Sequence, residues 1–301
     1  MIGQPDDVTR ARIDALLGVR CVEYIATEGG YSPAARWRVR TVDGDRVFVK
    51  MARSDHTRRA LRTEHEVLRD LRVDFAPQLI GFADDAEHPL LAIEDLGAAF
   101  WPPPWAPALL EQVRDTLARM HGMTTPLPAF DLVHAGEDRG WGAVAEDPAP
   151  FLALGLASPS QLDAALPALI GAEERAVLAG DSLTHFDIRS DNLCLAARGV
   201  VLIDWNLACR GNPELDLGFW LPSLEMEGGP PPETFLPEHP HVAAWVSGFF
   251  AARAGLPVIP EAPRVRDVQR RQLEPAWPWA LRALGLAPPR RAQPGLSPTN
   301  R

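Results

Sequence analysis

The sequence predicts an α+β protein in two lobes, a small β-rich one followed by a larger α-rich one. Three observations carry this. Strand-like alternation and turn residues crowd the first hundred positions. Helical periods dominate after a proline break at Trp101-Pro102-Pro103-Pro104. A length of 301 residues suits about two domains, or one large two-lobed unit.

Residues 8–17 read as a helix, followed by short strands. Residues 36–40 alternate polar and apolar, Asp43-Gly44-Asp45 supplies a turn, and 46–50 return, which is a hairpin signal. Residues 57–71 place Leu61, Leu68 and Leu71 at helical spacing among charges. A short buried strand at 89–93 leads into Glu94-Asp95-Leu96-Gly97, after which the character changes. Pro107 suits the first turn of a helix running to about Met120. Residues 124–160 are loop-rich, and 161–179 read as a helix despite Pro167. Strands at 193–195 and 200–203 flank Ala196-Ala197-Arg198-Gly199 as a second hairpin. Residues 215–224, 243–254 and 265–284 read as helices, with Pro275 and Pro278 expected to break or kink the last. The Pro- and Arg-rich tail from Pro288 is expected to fray. The implied division is 1–95 for the first lobe and 96–301 for the second.

Composition excludes several classes. The 46% hydrophobic and 23% charged fractions are globular values. No apolar run reaches the roughly 18 residues of a membrane span, and the first residues lack the pattern of a signal peptide. Three scattered cysteines, Cys21, Cys194 and Cys209, form no disulfide framework or CxxC knuckle and fit a reducing cytoplasm. A net charge of −10 argues against a surface that tracks nucleic acid. Of the 30 basic residues, Lys50 is the only lysine. A position that keeps a compact ammonium where arginine otherwise serves is a functional candidate, chance being the alternative.

The chemistry concentrates in His185-Phe186-Asp187-Ile188-Arg189-Ser190-Asp191-Asn192, followed by Ile203-Asp204. Asp187 and Asn192 stand at the two ends of a six-residue loop, and Asp204 follows twelve residues later at the end of a hairpin. Phosphoryl transfer needs this inventory: a carboxylate for the acceptor hydroxyl's proton, and an Asn oxygen with a second carboxylate for Mg²⁺. Oxygen donors without a His/Cys cluster point to Mg²⁺ rather than zinc. The plainer alternative, that these residues cap and solvate turns, is weakened by their joint spacing.

This segment resembles the catalytic and metal loops of the aminoglycoside phosphotransferase family, within the protein-kinase-like and choline-kinase-like superfamily. That family's pattern is H-x-D-x-x-x-x-N followed by a hydrophobic-D pair, met here by His185, Asp187, Asn192 and Ile203-Asp204. The resemblance covers about residues 20–285 and is thin over 124–180 and 225–285. It implies a kinase-like fold with ATP and Mg²⁺ in the cleft and a small hydroxylated acceptor, without nucleic acid or membrane partners. Asp187 would be the base or hydroxyl-orienter, with Asn192 and Asp204 on the metal.

Other segments line up in the family's order. Thr27 to Ala34, with Gly30 and Ser32, resembles its nucleotide-positioning loop, in which glycines let backbone approach phosphate. Lys50 falls where the family keeps a phosphate-binding lysine, and Glu64, rather than Glu66, would be its ion-pair partner. Phe48 shares a strand face with Lys50 and would stack on adenine or pack in the core. Ile93 to Gly97 resembles the hinge, where backbone near Ile93 and Asp95 would read the adenine edge. Asp216 resembles the aspartate that starts a helix and holds the catalytic loop; it is also a plain helix N-terminal stabiliser. His185 reads as orienting the loop, and His121 as packing. Arg189 would neutralise phosphate or pair with Asp191. Trp277 and Trp279 would line a substrate pocket or the core. Glu225, Glu227, Glu233 and Glu238 would attract a cationic acceptor or lie in a solvated Pro/Gly loop. The arginines of the tail argue against a polycationic acceptor. The alternatives to a drug-modifying kinase are a metabolic or natural-product kinase and a non-catalytic nucleotide binder.

Overall fold

The computed structural model describes residues 3–27, 33–136 and 140–287. Gly30, Ser32 and the tail from residue 288 lie outside the described residues. The first lobe runs α1 (Asp7–Leu17), β1 (Cys21–Ala26), β2 (Ala35–Thr41), β3 (Arg46–Met51), α2 (Asp55–Asp70), β4 (Leu79–Ala83) and β5 (Leu90–Glu94). Its strands form one antiparallel sheet in the order β1-β2-β3-β5-β4. The expected hairpin is β2–β3, in a register that sets Arg36 opposite Lys50. Lys50 therefore sits on the central strand, flanked by β2 and β5. A capping box starts α2, with Ser54 accepting from Thr57 N–H and Thr57 bonding back to Ser54. The helix buries Leu61, Glu64, Val67 and Leu68 along one face, which aims the Glu64 carboxylate at the sheet.

The second lobe contains α3 (Pro107–His121), α4 (Phe130–Val133), α5 (Trp141–Glu146), α6 (Ala149–Leu152) and α7 (Pro159–Glu173). It continues with β6 (Ser182–Thr184), β7 (Leu193–Ala196), β8 (Gly199–Leu202), β9 (Cys209–Gly211), α8 (Pro213–Met226), α9 (Pro240–Ala254) and α10 (Val265–Ala283). The β7–β8 pair is the second expected hairpin, and β6 pairs with β9. Among the described residues, no helix is long and apolar enough to cross a membrane.

Three elements differ from the sequence expectation. The loop-rich 124–160 stretch holds the short helices α4, α5 and α6. The helix expected to reach residue 179 stops at Glu173. Farther on, Asn212, the N-cap of α8, donates its side-chain amide to the Val177 carbonyl and its backbone N–H to Leu178. Those carbonyls serve the start of α8 instead of prolonging α7. The third difference is α10, which runs unbroken through Pro275 and Pro278. The prolines remove the N–H groups that would bond the carbonyls of Arg271 and Glu274, and both of those residues are exposed, so water can serve them. Burial of Leu273, Trp277, Trp279 and Leu281 then outweighs the local helix penalty. Trp277 and Trp279 are core residues; the Trp277 ring lies 5.1 Å from that of Trp141 and 5.5 Å from Phe151.

One hydrophobic cluster spans both lobes, joining Leu61, Leu91 and Ile93 to Trp205, Leu221 and Trp245. Inside the second lobe, Glu173 closes α7 and accepts Trp141 N–H at 2.9 and 3.0 Å, pinning the start of α5. Gly140 and Gly248 crowd this carboxylate so closely that a Cβ on either would collide with it. Burial pushes the Glu173 carboxyl up to about 7, against the opposing effect of the backbone donors.

A raised carboxyl pKa means that the folded state holds this proton more tightly than the unfolded one. The stability contributed by neutral Glu173 is thus complete below its ordinary value of 4.5 and lost as pH rises through about 7. Across that window the native protein is expected to lose on the order of 2–3 kcal/mol relative to Glu173→Gln. Thermal unfolding of both proteins between pH 4.5 and pH 8 checks this. A Tm difference that does not change with pH would contradict it.

Candidate active site

The central strand carries Lys50 into the sheet's face, where it is 4% exposed. Its Nζ donates to both Glu64 oxygens, at 2.9 and 2.7 Å, and to Asp204 Oδ1 at 3.0 Å. Glu64 is the partner and Glu66 is exposed, as the helix face requires. Burial opposes a charge on Lys50, but the carboxylates of Asp204 and Glu64 outweigh it and raise the pKa. Burial likewise works to raise Asp204, and the Lys50 ammonium overcomes it, holding that carboxyl below the usual range.

Between β6 and β7 lies the loop that bears Asp187. Asn192 Nδ2 donates to the Asp187 carbonyl at 2.9 Å and to Asp187 Oδ2 at 2.7 Å. Arg189 bridges two carboxylates, with Nη1 2.8 Å from Asp187 Oδ1 and Nε 2.9 Å from Asp191 Oδ1. Arg189 therefore does pair with Asp191, and it faces Asp187 as well. Burial raises the Asp187 carboxyl to about 6, with Arg189 pulling partly the other way.

His185 is fully buried and hydrogen-bonded at both ring nitrogens. Nδ1 accepts Asp187 N–H at 3.2 Å, so the ring proton sits on Nε2, 3.0 Å from the Ile203 carbonyl. Burial lowers its pKa and keeps it neutral. With both nitrogens spoken for, the ring links the Asp187 loop to the Asp204 turn and has no lone pair for a substrate proton.

Two non-glycine residues adopt left-handed backbone here, Phe186 at φ 58° and Asp204 at φ 69°. Such conformations cost about 1–3 kcal/mol and persist only where the surroundings enforce them. The enforcing group at Phe186 is Asp216, fully buried in the first turns of α8. It accepts Phe186 N–H at 2.7 Å, His185 N–H at 2.9 Å and His121 Nε2–H at 3.0 Å. Burial works to raise this carboxyl, and its donors, His121 first, hold it below the ordinary range.

Two cavities open from this cluster. One, of about 510 Å³, runs under the hinge past Phe48, Ile93, Leu96 and Trp101. There Asp95 turns its carboxylate to Arg38 Nε and Nη2 at 2.9 and 3.0 Å and accepts the Gly97 N–H at 2.9 Å. Next to it, Glu94 is paired with Arg198 of the β7–β8 turn. The other cavity, of about 550 Å³, lies between Asp187 and helices α8, α9 and α10. Arg36, Lys50, Asn192 and Asp204 line both. Asp204 Oδ2 is clear of Lys50, and Asn192, with Nδ2 turned to Asp187, faces its carbonyl oxygen the other way. One carboxylate and one amide oxygen fit a hard cation that completes its shell with phosphate and water. Among the described residues, no group of three or more His, Cys, Asp or Glu is placed to hold a metal by itself.

Three contributors escape a reading of the sequence. His121, expected only to pack, is a donor to Asp216; its spacing from Leu117 on the buried side of α3 is the signal. Arg36 lines both cavities, and the β2–β3 register that opposes it to Lys50 would reveal it. Glu227, expected in a solvated loop, accepts Ser190 Oγ–H at 2.5 Å and Trp105 Nε1–H at 3.0 Å, bracing the Asp187 loop from behind. Its neighbour Glu233 pairs with Arg282. No short-range pattern reports either contact.

The class of the chain, that of the phosphotransferases, is given by a family match. Residues 23–258 match the phosphotransferase enzyme family, and the chain belongs to it. No curated protein matches the chain in sequence. Among solved structures, a choline/ethanolamine kinase family protein from Mesorhizobium loti aligns over 93% of this chain and 97% of that one, at 14% identity and TM-score 0.57. Amicoumacin kinase, in complex with AMP-PNP, Ca²⁺ and Ami, aligns over 90% and 93%, at 11% identity and TM-score 0.52. A macrolide 2′-phosphotransferase from Brachybacterium faecium aligns over 93% and 97%, at 15% identity and TM-score 0.50. At these identities the likeness is one of fold.

Removing the Asp216 carboxylate strands three buried donors at once. Asp216→Ala is expected to cost about 3–5 kcal/mol in urea unfolding, and His121→Ala, which frees one acceptor site, about 1–2 kcal/mol. An Asp216→Ala cost below about 1 kcal/mol would contradict the anchoring role.

Proposed function

We propose that the protein transfers the γ-phosphoryl group of ATP to a hydroxyl of a small molecule, with Mg²⁺, in a reducing cytoplasm. What supports this above all is that the two cavities share Arg36, Lys50, Asn192 and Asp204. A donor in one and an acceptor in the other would meet at those four side chains. In this reading residues 1–95 bind the nucleotide, and 96–301 carry the catalytic loop and the acceptor site.

Adenine lies against Phe48 and Ile93, with its edge toward backbone at Ile93 and Asp95. Lys50, held by Glu64, sits on the phosphates, and Gly30 and Ser32 are assigned to them by family resemblance. Arg36 adds a second cation at the same junction. Asn192 and Asp204 would hold Mg²⁺, which when bound draws phosphate charge off the reacting oxygens. Asp187 orients the acceptor hydroxyl and takes its proton. The new bond joins that oxygen to the γ-phosphorus, the bond to the bridging oxygen breaks, and ADP leaves. His185 and Asp216 position the loop without touching either substrate.

Asp187→Ala is expected to leave nucleotide binding by calorimetry nearly unchanged and to lower kcat by roughly 10²–10⁴. Near-native turnover, with chemistry shown to limit the rate, would remove Asp187 from this role. Asp204→Asn takes a charged ligand from the cation. The Mg²⁺ concentration for half-maximal rate is expected to rise roughly tenfold; an unchanged Mg²⁺ dependence would place the metal elsewhere.

A further inference from the structure

The wall of the 550 Å³ cavity that faces Asp187 is an unusual surface for a chain of net charge −10. Among its described lining residues, the carboxylates Asp187, Asp204 and Glu261 are matched in number by Arg36, Lys50 and Arg189. Asp187 and Asp204 are already engaged by Arg189 and Lys50. That leaves Glu261, exposed at the rim, as the one carboxylate among the described lining residues that is not paired with a cation. The surplus acid of the chain lies elsewhere, so the cavity does not concentrate polycations.

Helix α10 sharpens the point. It carries Arg266, Asp267, Arg270, Arg271, Glu274 and Arg282, yet none of these lines the cavity. Instead it presents Val265, Val268, Gln269 and Gln272, at i, i+3, i+4 and i+7, a single uncharged stripe. Gln272 is buried and fixed by donating Nε2–H to Ser223 Oγ at 2.8 Å. Opposite, Phe219 of α8 meets Phe249 and Phe250 of α9 edge-to-face, with ring centroids 5.1 to 5.8 Å apart. Aromatic edges, valines and neutral amides select an apolar surface with a few hydrogen-bonding groups, in a cavity within the roughly 300–1,000 Å³ of drug-sized sites.

We propose that the acceptor is a hydroxylated molecule with a ring-sized apolar face and at most one positive charge. The apolar face packs between the three phenylalanines and the α10 stripe, any amine sits toward Glu261, and the reacting hydroxyl points to Asp187. The proposal rests on the phosphotransfer reading of the same site.

ADP release with Mg²⁺ and ATP in excess tests it on three acceptors: phenylserinol (an aryl amino diol with one amine), myo-inositol (neutral, without an apolar ring face) and kanamycin (a tetra-amine). Phenylserinol is expected to exceed both others in kcat/KM by at least about tenfold. Phe249→Ala is expected to lower its kcat/KM about tenfold, and Val265→Glu, at the partly exposed first residue of α10 with no arginine three or four positions away, to raise that of kanamycin about fivefold. Kanamycin or myo-inositol equal to phenylserinol would overturn the proposal, as would Val265→Glu without effect on kanamycin. So would a protein that binds Mg·ATP by calorimetry but releases no ADP above background with phenylserinol. A protein that binds no Mg·ATP would overturn the phosphotransfer reading instead.

Discussion

One buried ammonium ties together three stretches of chain that are far apart in sequence. Lys50 on the central strand, Glu64 on α2 and Asp204 after the β7–β8 hairpin meet through three hydrogen bonds of 2.7 to 3.0 Å. An unpaired ammonium could not remain charged at that depth, and an unpaired Glu64 carboxylate would be as costly. Lys50 and Glu64 are therefore each the condition for the other, and the Asp204 contact, with the hydrophobic cluster that spans both lobes, holds the first lobe over the second. The geometry also explains why a chain with 29 arginines retains one lysine. Three carboxylate oxygens converge on a single nitrogen at 2.7 to 3.0 Å, which a compact ammonium serves and a guanidinium, with its donors spread over three nitrogens, does not.

Around this contact the Asp187 loop is built from strain held in place. Phe186 and Asp204 take left-handed backbone, Asp216 accepts the N–H groups of His185 and of Phe186 itself, and His185 links the two turns. Glu227 braces Ser190 from the end of α8. The loop then presents Asp187 to one cavity and Asn192 with Asp204 to both. Rigid elements on every side mean that little reorganisation is left for the moment of reaction. The wall opposite, where α8, α9 and α10 converge, presents Phe219, Phe249, Phe250 and the uncharged α10 stripe, none of which takes part in the charge network.

What could be read from sequence was what lies close along the chain or repeats with a period. The β2–β3 hairpin follows from alternation around Asp43-Gly44-Asp45, and Glu64 from its place on the face marked by Leu68 and Leu71, of which Leu68 is buried in α2 and Leu71 caps its end. The Asp187, Asn192 and Asp204 set is legible because all three fall within eighteen residues. His121 and Asp216 meet across ninety-five residues, and Glu227 and Ser190 across thirty-seven. Only the packing of α3 and α8 against the loop makes those pairs. Helix α10 shows the reverse case, in which two prolines argue locally for a break and burial of its tryptophans keeps the helix whole. Its cavity stripe is invisible in composition because charged residues outnumber it on the other faces.

The central claim is that Lys50 sits on the phosphates of a bound nucleotide, and its being the only lysine makes the claim directly measurable. An amine-acylating acyl-phosphate derivative of ATP, followed by peptide mapping, reads the site of contact in the native protein. The account predicts that, the α-amino group aside, all label falls on Lys50 and that excess Mg·ATP abolishes it. Label on Lys50 that Mg·ATP does not protect, or a Lys50 that stays unlabelled while the protein binds the reagent, would contradict it.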